Sequence, residues 1–192
     1  MTFKRQISIV FAVALLVFAT AATAGAAELD ELAQLPVLEK IHGDGPDEHQ
    51  PGLAESGQLR VYWFWSSGSH CSRSAEPGLE ALAGDYPDIE VVVVHSNVDE
   101  SISEAQKQLR ERNFDVAVYR DEQARLAIAL DARMTPEVVV VDDSKIIYQG
   151  RPLRISRSGT ESYVAQVVQT WIDGDDIERA YRRPTGCPIR RP

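Results

Sequence analysis

Residues 61–94 read VYWFWSSGSHCSRSAEPGLEALAGDYPDIEVVVV, and this stretch decides the fold. Val61 to Trp65 is a β-branched and aromatic run of the kind that fills strands. Ser66 to Ser69, with Gly68, is a polar turn. Leu79, Leu82, Ala83 and Tyr86 then recur at i, i+3, i+4 and i+7, which is one face of a helix. Ile89 to His95 is almost continuously apolar, as a strand covered on both faces must be. Strand, helix and buried strand in that order form a βαβ unit, whose two strands run parallel.

The pattern continues toward the C-terminus. Ser101 and Glu104 form a capping box that opens a helix bearing Ile102, Ala105 and Leu109. Val116 to Tyr119 reads as a short strand, Asp121 caps a helix running to Leu130, and Val138 to Val141 is another buried strand. Asp142-Asp143-Ser144-Lys145 turns the chain into Ile146-Ile147-Tyr148, a hairpin. Val164, Val167, Val168 and Trp171 stripe a last helix, with Ser158 and Glu161 as its capping box. The order β-α-β-α-β-α-β-β-α implies an α/β layer structure with a mostly parallel sheet and an antiparallel edge. Trp63, Trp65 and Trp171 are expected to pack in or beside the core, and Asp99 and Glu100 to complement the dipole of the second helix.

Before this core, Lys4 and Arg5 precede an apolar run from Ile7 to Phe18, followed by the small-residue patterns Ala22-Thr23-Ala24 and Ala24-Gly25-Ala26. That is the order of a secretory signal peptide, and the run is short against the ~20 residues of a membrane-spanning helix. The expectation is a leader over residues 1–26, a periplasmic or secreted protein, and no stable membrane span after cleavage. Residues 27–57, including HGDGPDEHQPGLAESG from His42 to Gly57, read as a lead-in and linker. The folded domain is expected over 58–173. Residues 174–192 form a tail, its last part from Arg179 basic and irregular, which lies across an acidic body.

The whole chain has 192 residues and a formal net charge of −9. Removing residues 1–26 takes away Lys4 and Arg5 and no acidic group, which leaves −11. This acidity disfavours nucleic acid as a partner, since binding a phosphate backbone needs clustered Lys and Arg. With 44% hydrophobic residues the chain can bury a core. Its two cysteines, Cys71 and Cys187, are too few for a disulfide scaffold or a four-cysteine zinc site. Cys71 falls at the start of the first helix, where unpaired backbone N–H groups, the helix dipole, Arg73 and a protonated His70 all favour a thiolate. The alternative is a buried, inert thiol.

Around these residues the sequence resembles the thioredoxin-like superfamily, in particular its exported redoxin branch. The likeness covers residues 58–173. It rests on the stretch quoted above, on Met134-Thr135-Pro136-Glu137-Val138, which is similar to the family's cis-proline loop and following strand, and on Asp142 to Gly150, which is similar to its closing hairpin. The extra β-α unit at 116–130 fits the longer redoxins. The resemblance implies thiol–disulfide exchange on protein thiols or disulfides in the exported compartment, without a cofactor. Cys71 would be the nucleophile, and Thr135 and Pro136 the substrate-side loop.

The departure lies in the active-site loop. The family's Cys-x-x-Cys would start at Ser69, and Cys71 stands one residue short of the usual second cysteine, so the loop reads Ser69-His70-Cys71. A serine hydroxyl forms no disulfide. The peroxiredoxin pattern is also missing, because Phe64 and Gly68 occupy its matching positions. Cys187, between Gly186 and Pro188, is then available to resolve a mixed disulfide on Cys71, to bridge to it structurally, or to stand unrelated. Two other readings stay open: a non-catalytic binding module using the Pro136 loop, and a copper carrier using His70, Cys71 and either Cys187 or His95. The copper carriers of this fold, the Sco type, show a Cys-x-x-x-Cys loop that is absent here, and no metal ligand set is assigned.

Overall fold

The computed structural model describes residues 32–52, 54–55, 57–143, 145–178 and 180–192; the leader expected over 1–26 lies outside the described residues. A 3₁₀ turn, Leu32–Gln34, precedes β1 (Leu38–His42) and β2 (Glu48–His49). There follow β3 (Arg60–Trp65), α1 (His70–Asp85), β4 (Glu90–His95), α2 (Ile102–Glu111) and β5 (Val118–Arg120). A second 3₁₀ turn, Glu122–Ala124, runs into α3 (Arg125–Ala129). Next come β6 (Met134–Thr135), β7 (Glu137–Val141), β8 (Ile146–Gly150), β9 (Leu153–Ser156), β10 (Gly159–Ser162) and α4 (Tyr163–Ile172). The tail adds β11 (Tyr181–Arg182) and β12 (Cys187–Pro188).

Eight of these strands form one sheet in the order β11-β8-β7-β3-β4-β5-β1-β2. β3 is central, parallel to β4 and antiparallel to β7. Its side chains alternate between two covered faces, as a pleated strand requires. Val61, Trp63 and Trp65 pack with Leu79 and Leu82 of α1, Leu109 of α2 and Val164 of α4. Tyr62 and Phe64 pack on the other face with Leu126, Leu130 and, from the tail, Ile189. All five of these β3 residues are fully buried. At about 1.5–3 kcal/mol for each large apolar side chain buried, a polar residue at any of them would be costly, which is why the run is continuously apolar.

Several elements differ from the sequence expectation. The sheet is mixed, with β3–β4, β4–β5 and β8–β11 parallel and β1–β2, β1–β5, β3–β7 and β7–β8 antiparallel. The antiparallel share is larger than expected because residues 38–49, read as part of a linker, are two strands of the sheet. Their alternation is hidden by charged residues, yet Leu38 and His49 are buried and paired with each other in register. The expected helix over 121–130 is broken, since Gln123 and Ala124 have φ of 58° and 54°. Asp121 explains the break. Its carboxylate accepts the N–H groups of Leu126 (2.9 Å) and Ala127 (3.0 Å), so the chain must loop left-handed before α3 can start.

The capping box expected at Ser158 and Glu161 is part of the β9–β10 hairpin instead. The cap of α4 is Ser162, whose Oγ accepts the Ala165 N–H at 3.2 Å. Ser101 does cap α2, accepting the Glu104 N–H. The tail is ordered into strands. β11 lies parallel to β8, where Gly150 (φ 140°) admits the Arg182 carbonyl so closely that a Cβ would lie 1.7 Å from its oxygen. Among the described residues no helix is long and apolar enough to cross a membrane.

Candidate active site

β3 ends at Trp65 and delivers the chain through Ser66-Ser67-Gly68 to Ser69, the N-cap of α1. Ser69 is buried, and its Oγ accepts the Ser72 N–H at 3.1 Å. His70 is the first, exposed residue of α1 and Cys71 the second. The Thr135-Pro136 peptide is cis, and Thr135 is buried with its carbonyl 3.4 Å from the Ser69 hydroxyl. The tail closes the site. Cys187 pairs with Thr135 and Pro188 with Met134 in an antiparallel ladder, and the Thr135 hydroxyl donates to the Cys187 carbonyl at 3.4 Å. Gly186 approaches so closely that a Cβ would lie 2.2 Å from the Thr135 oxygen. Ser69, His70, Cys71, Thr135, Pro136 and Cys187, picked from three distant parts of the sequence, thus occupy one place.

Beyond Cys187 the tail stays docked. The Ile189 N–H donates to the Arg133 carbonyl (2.9 Å), the Arg190 N–H to the Asn97 side chain (2.8 Å), and the Val98 N–H to the Arg190 carbonyl (3.2 Å). The Arg191 guanidinium donates to the carbonyls of Ala132 and Ala127. Ile189 itself is buried.

Both cysteines are free thiols and half-buried. The Ser69 hydroxyl, the Cys71 backbone N–H and the Cys71 thiol each act to lower the Cys187 thiol, and Arg73 adds a favourable charge. These donors, Ser69 first, outweigh burial and pull the Cys187 thiol below its ordinary range. The Cys71 thiol is pushed up, by burial and then by the neighbouring Cys187 thiol, against its own backbone N–H, which acts to lower it. The helix start acts on Cys71 in the expected direction, and burial and the neighbouring Cys187 thiol act against it.

Two carboxylates, half-buried Glu100 and buried Glu137, hold this geometry, and neither was picked out as a site residue. Glu100 accepts from the Ser67 N–H (3.0 Å), the Ser67 hydroxyl (2.9 Å), Asn97 (2.7 Å) and His95 Nε2 (2.9 Å), and also from the Ser66 hydroxyl. Burial acts to raise its pKa, but the hydrogen bonds from His95, Ser66, Asn97 and Ser67 prevail and hold it well below the usual carboxylate range. Glu137 accepts the N–H groups of Arg133 (2.8 Å) and Met134 (3.0 Å), which fixes the strand that meets Cys187, and burial pushes its pKa up. A charged residue next to Pro136 at the start of an otherwise all-valine strand was the available signal for Glu137. Glu100 had been read only as a helix-dipole partner.

His42 and His49, in the stretch read as a linker, lie on β1 and β2. His42 Nε2 bonds the Phe114 carbonyl at 2.6 Å, and buried His49 has its pKa lowered to about 4, chiefly by burial and then by Arg60. Trp63 and Trp65 are buried, and Trp171 packs half-buried against the core. Among the described residues no group of three or more His, Cys, Asp or Glu side chains is arranged to hold a metal ion.

No protein-family model and no curated protein matches the chain. Solved structures do. A hypothetical protein from Sinorhizobium meliloti superposes with a TM-score of 0.68 at 20% identity, covering 90% of this chain and 97% of that one. StoA from Bacillus subtilis gives 0.54 at 13%, covering 71% and 95%. A secreted Mycobacterium tuberculosis disulfide oxidoreductase homologous to Escherichia coli DsbE gives 0.50 at 18%, covering 61% and 83%.

Proposed function

Because the chain has the thioredoxin-like fold, we propose that it is an exported thiol–disulfide oxidoreductase whose exchanging pair is Cys71 and Cys187. The observation that carries this reading is the meeting of two cysteine thiols beside a cis-proline peptide, at the N-terminus of a 16-residue helix. The pair stands in for a Cys-x-x-Cys loop that the local sequence lacks. In the reduced protein it supplies two electrons to a disulfide of a protein substrate. The Cys71–Cys187 bond forms, the substrate disulfide opens to two thiols, and the two protons pass from enzyme to substrate. The reverse reaction oxidises a substrate dithiol.

The leader-like residues 1–26 support export, as does the fold likeness to a secreted oxidoreductase. Substrates are protein thiols or disulfides of that compartment. The direct test is reduction of insulin disulfides with a small dithiol as electron source. The full mature chain is expected to catalyse it, and Cys71→Ser and Cys187→Ser each to lower the rate by about 100-fold or more. Unchanged turnover in either variant would refute the pairing.

A further inference from the structure

The structure assigns to Asn97 the positioning of Cys187 against Cys71: one side-chain amide ties the loop leading to Cys71 to the tail segment that carries Cys187. The amide thereby sets the effective concentration of one thiol at the other. This assignment deepens the exchange reading above and rests on it.

Trp65 and His95 are paired in register on two parallel strands, so the segments holding Ser66 and Asn97 leave the sheet at the same end. Asn97 Nδ2 donates to the Ser66 hydroxyl oxygen at 2.9 Å and to Glu100 Oε1 at 2.7 Å. Both of its N–H groups are thus used on the loop side. Glu100 holds the next residue of that loop, Ser67, through its N–H and its hydroxyl, and the chain then runs through Ser69 to Cys71. On the other side Asn97 Oδ1 accepts the Arg190 N–H at 2.8 Å, and the neighbouring Val98 N–H donates to the Arg190 carbonyl at 3.2 Å. Arg190 is therefore gripped at both of its backbone groups. Turned over, the amide would set its oxygen against the Glu100 carboxylate and its NH₂ against the Arg190 N–H. Its partners fix its orientation.

The tail needs this hold. β12 is two residues long, and Pro188 has no N–H to give, so the segment after Cys187 is anchored by the Ile189 N–H on the Arg133 carbonyl, by Ile189 in the core, and by Arg190. Asn97 is half-buried and belongs to neither apolar cluster, so its loss removes no core contact. The Arg190 side chain is exposed, and an Arg190 N–H freed from Asn97 meets water. Stability changes little, whereas the freedom of the tail grows and the local concentration of Cys187 at Cys71 falls.

A glutathione buffer reads that concentration directly. The reduced protein and one glutathione disulfide give the Cys71–Cys187 bond and two molecules of glutathione thiol. Two thiols of the protein are oxidised, one glutathione S–S bond is broken, and the two thiol protons pass to the departing glutathione thiolates. The equilibrium constant has the units of concentration and reports Cys187 at Cys71 relative to free glutathione. Asn97 touches no reacting atom and is a positioning residue.

The test is to equilibrate the full mature protein in glutathione buffers of known ratio, quench with an alkylating agent, and count dithiol against disulfide by mass spectrometry. Asn97→Ala is expected to lower the constant ~10-fold. Arg190→Pro, which removes the tail N–H and leaves Asn97 and Glu100 in place, is expected to do the same, and the double variant to fall no further than either single one. The denaturant midpoint of the reduced Asn97→Ala protein is expected to stay close to that of the unmutated one. An unchanged constant in Asn97→Ala overturns the assignment, as does a fall that Arg190→Pro does not share or that the double variant adds to. In those cases the Cys71–Cys187 bond still forms and the exchange reading stands. Failure of the unmutated protein to form that bond overturns the exchange reading, and the role of Asn97 with it.

Discussion

Glu100 gathers a whole loop onto one carboxylate. Ser66, Ser67, His95 and Asn97 all donate to it, and the Gly68 position lies 3.0 Å from its Oε1 when a Cβ is built there. Glu100→Gln turns two acceptor oxygens into one acceptor and one donor, so at least one of these donors faces an N–H group. The expected cost is about 2 kcal/mol, read as a shift in the denaturant midpoint. The pH dependence follows from the lowered pKa of the folded state. Its stabilisation is complete above the ordinary value of 4.5 and is lost as the pH falls toward the lower folded pKa, because the unfolded chain takes the proton first. Titrating stability from pH 6 to 3 in the unmutated protein and the Gln variant checks this; parallel curves would refute it. Cys71 and Pro136 were legible in the sequence because each belongs to a short motif with a local reason. Glu100 was not, because its partners Ser66 and Ser67 lie across the sheet, and no spacing rule links the start of one helix to the loop before another.

At the scale of elements, β12 decides whether the site exists. It is two residues long and makes a sheet only with β6. It is held by what flanks it: Gly186 against Thr135, Ile189 in the core, and Arg190 on Asn97. Ile189→Asp is expected to release this segment without unfolding the body. The amides of Ile189 and Arg190 would lose hydrogen-exchange protection by about 100-fold while those of β3 keep theirs. Loss of protection in β3 as well would mean that the tail is part of the global fold. The βαβ core was legible from the sequence because long apolar runs and helical stripes are strong signals. β1, β2 and β12 were not, since two-to-five-residue strands carrying Glu, Lys, His or Pro show no period to read. Their place is fixed by the strands they meet.

For the whole molecule, the chain runs from β1 and the edge strand β2 through the central strands of the sheet and ends in a tail paired to β8 and β6. Oxidising Cys71 and Cys187 would close a loop that contains most of the domain. The chain-entropy estimate for so long a loop is about 4–5 kcal/mol at most, with any strain reducing it. The expected outcome is a denaturant midpoint clearly higher for the oxidised than the reduced protein, and no such difference in Cys187→Ser. Identical midpoints would show that the two thiols do not bridge. The pairing of distant cysteines was left open by the sequence, because a tail of arginines, glycine and prolines has no pattern that says where it docks. Its destination is set by a complementary edge: the Arg133 and Thr135 backbone, the Asn97 side chain and a pocket for Ile189.

The docking of β12 on β6 also sets an order in time. A ribosome makes Cys71 before Cys187, and at roughly 5–20 residues per second the interval between them is on the order of ten seconds. Throughout that interval the β6 edge at Thr135 has no β12 to pair with, and Cys71 has no second cysteine of the chain. A chain cut after α4 and before residue 187 keeps the central strands but leaves the β6 edge without β12 and Cys71 without a second cysteine. A copy that lacks residue 187 carries one cysteine in place of two and is chemically distinguishable by that from one that carries it.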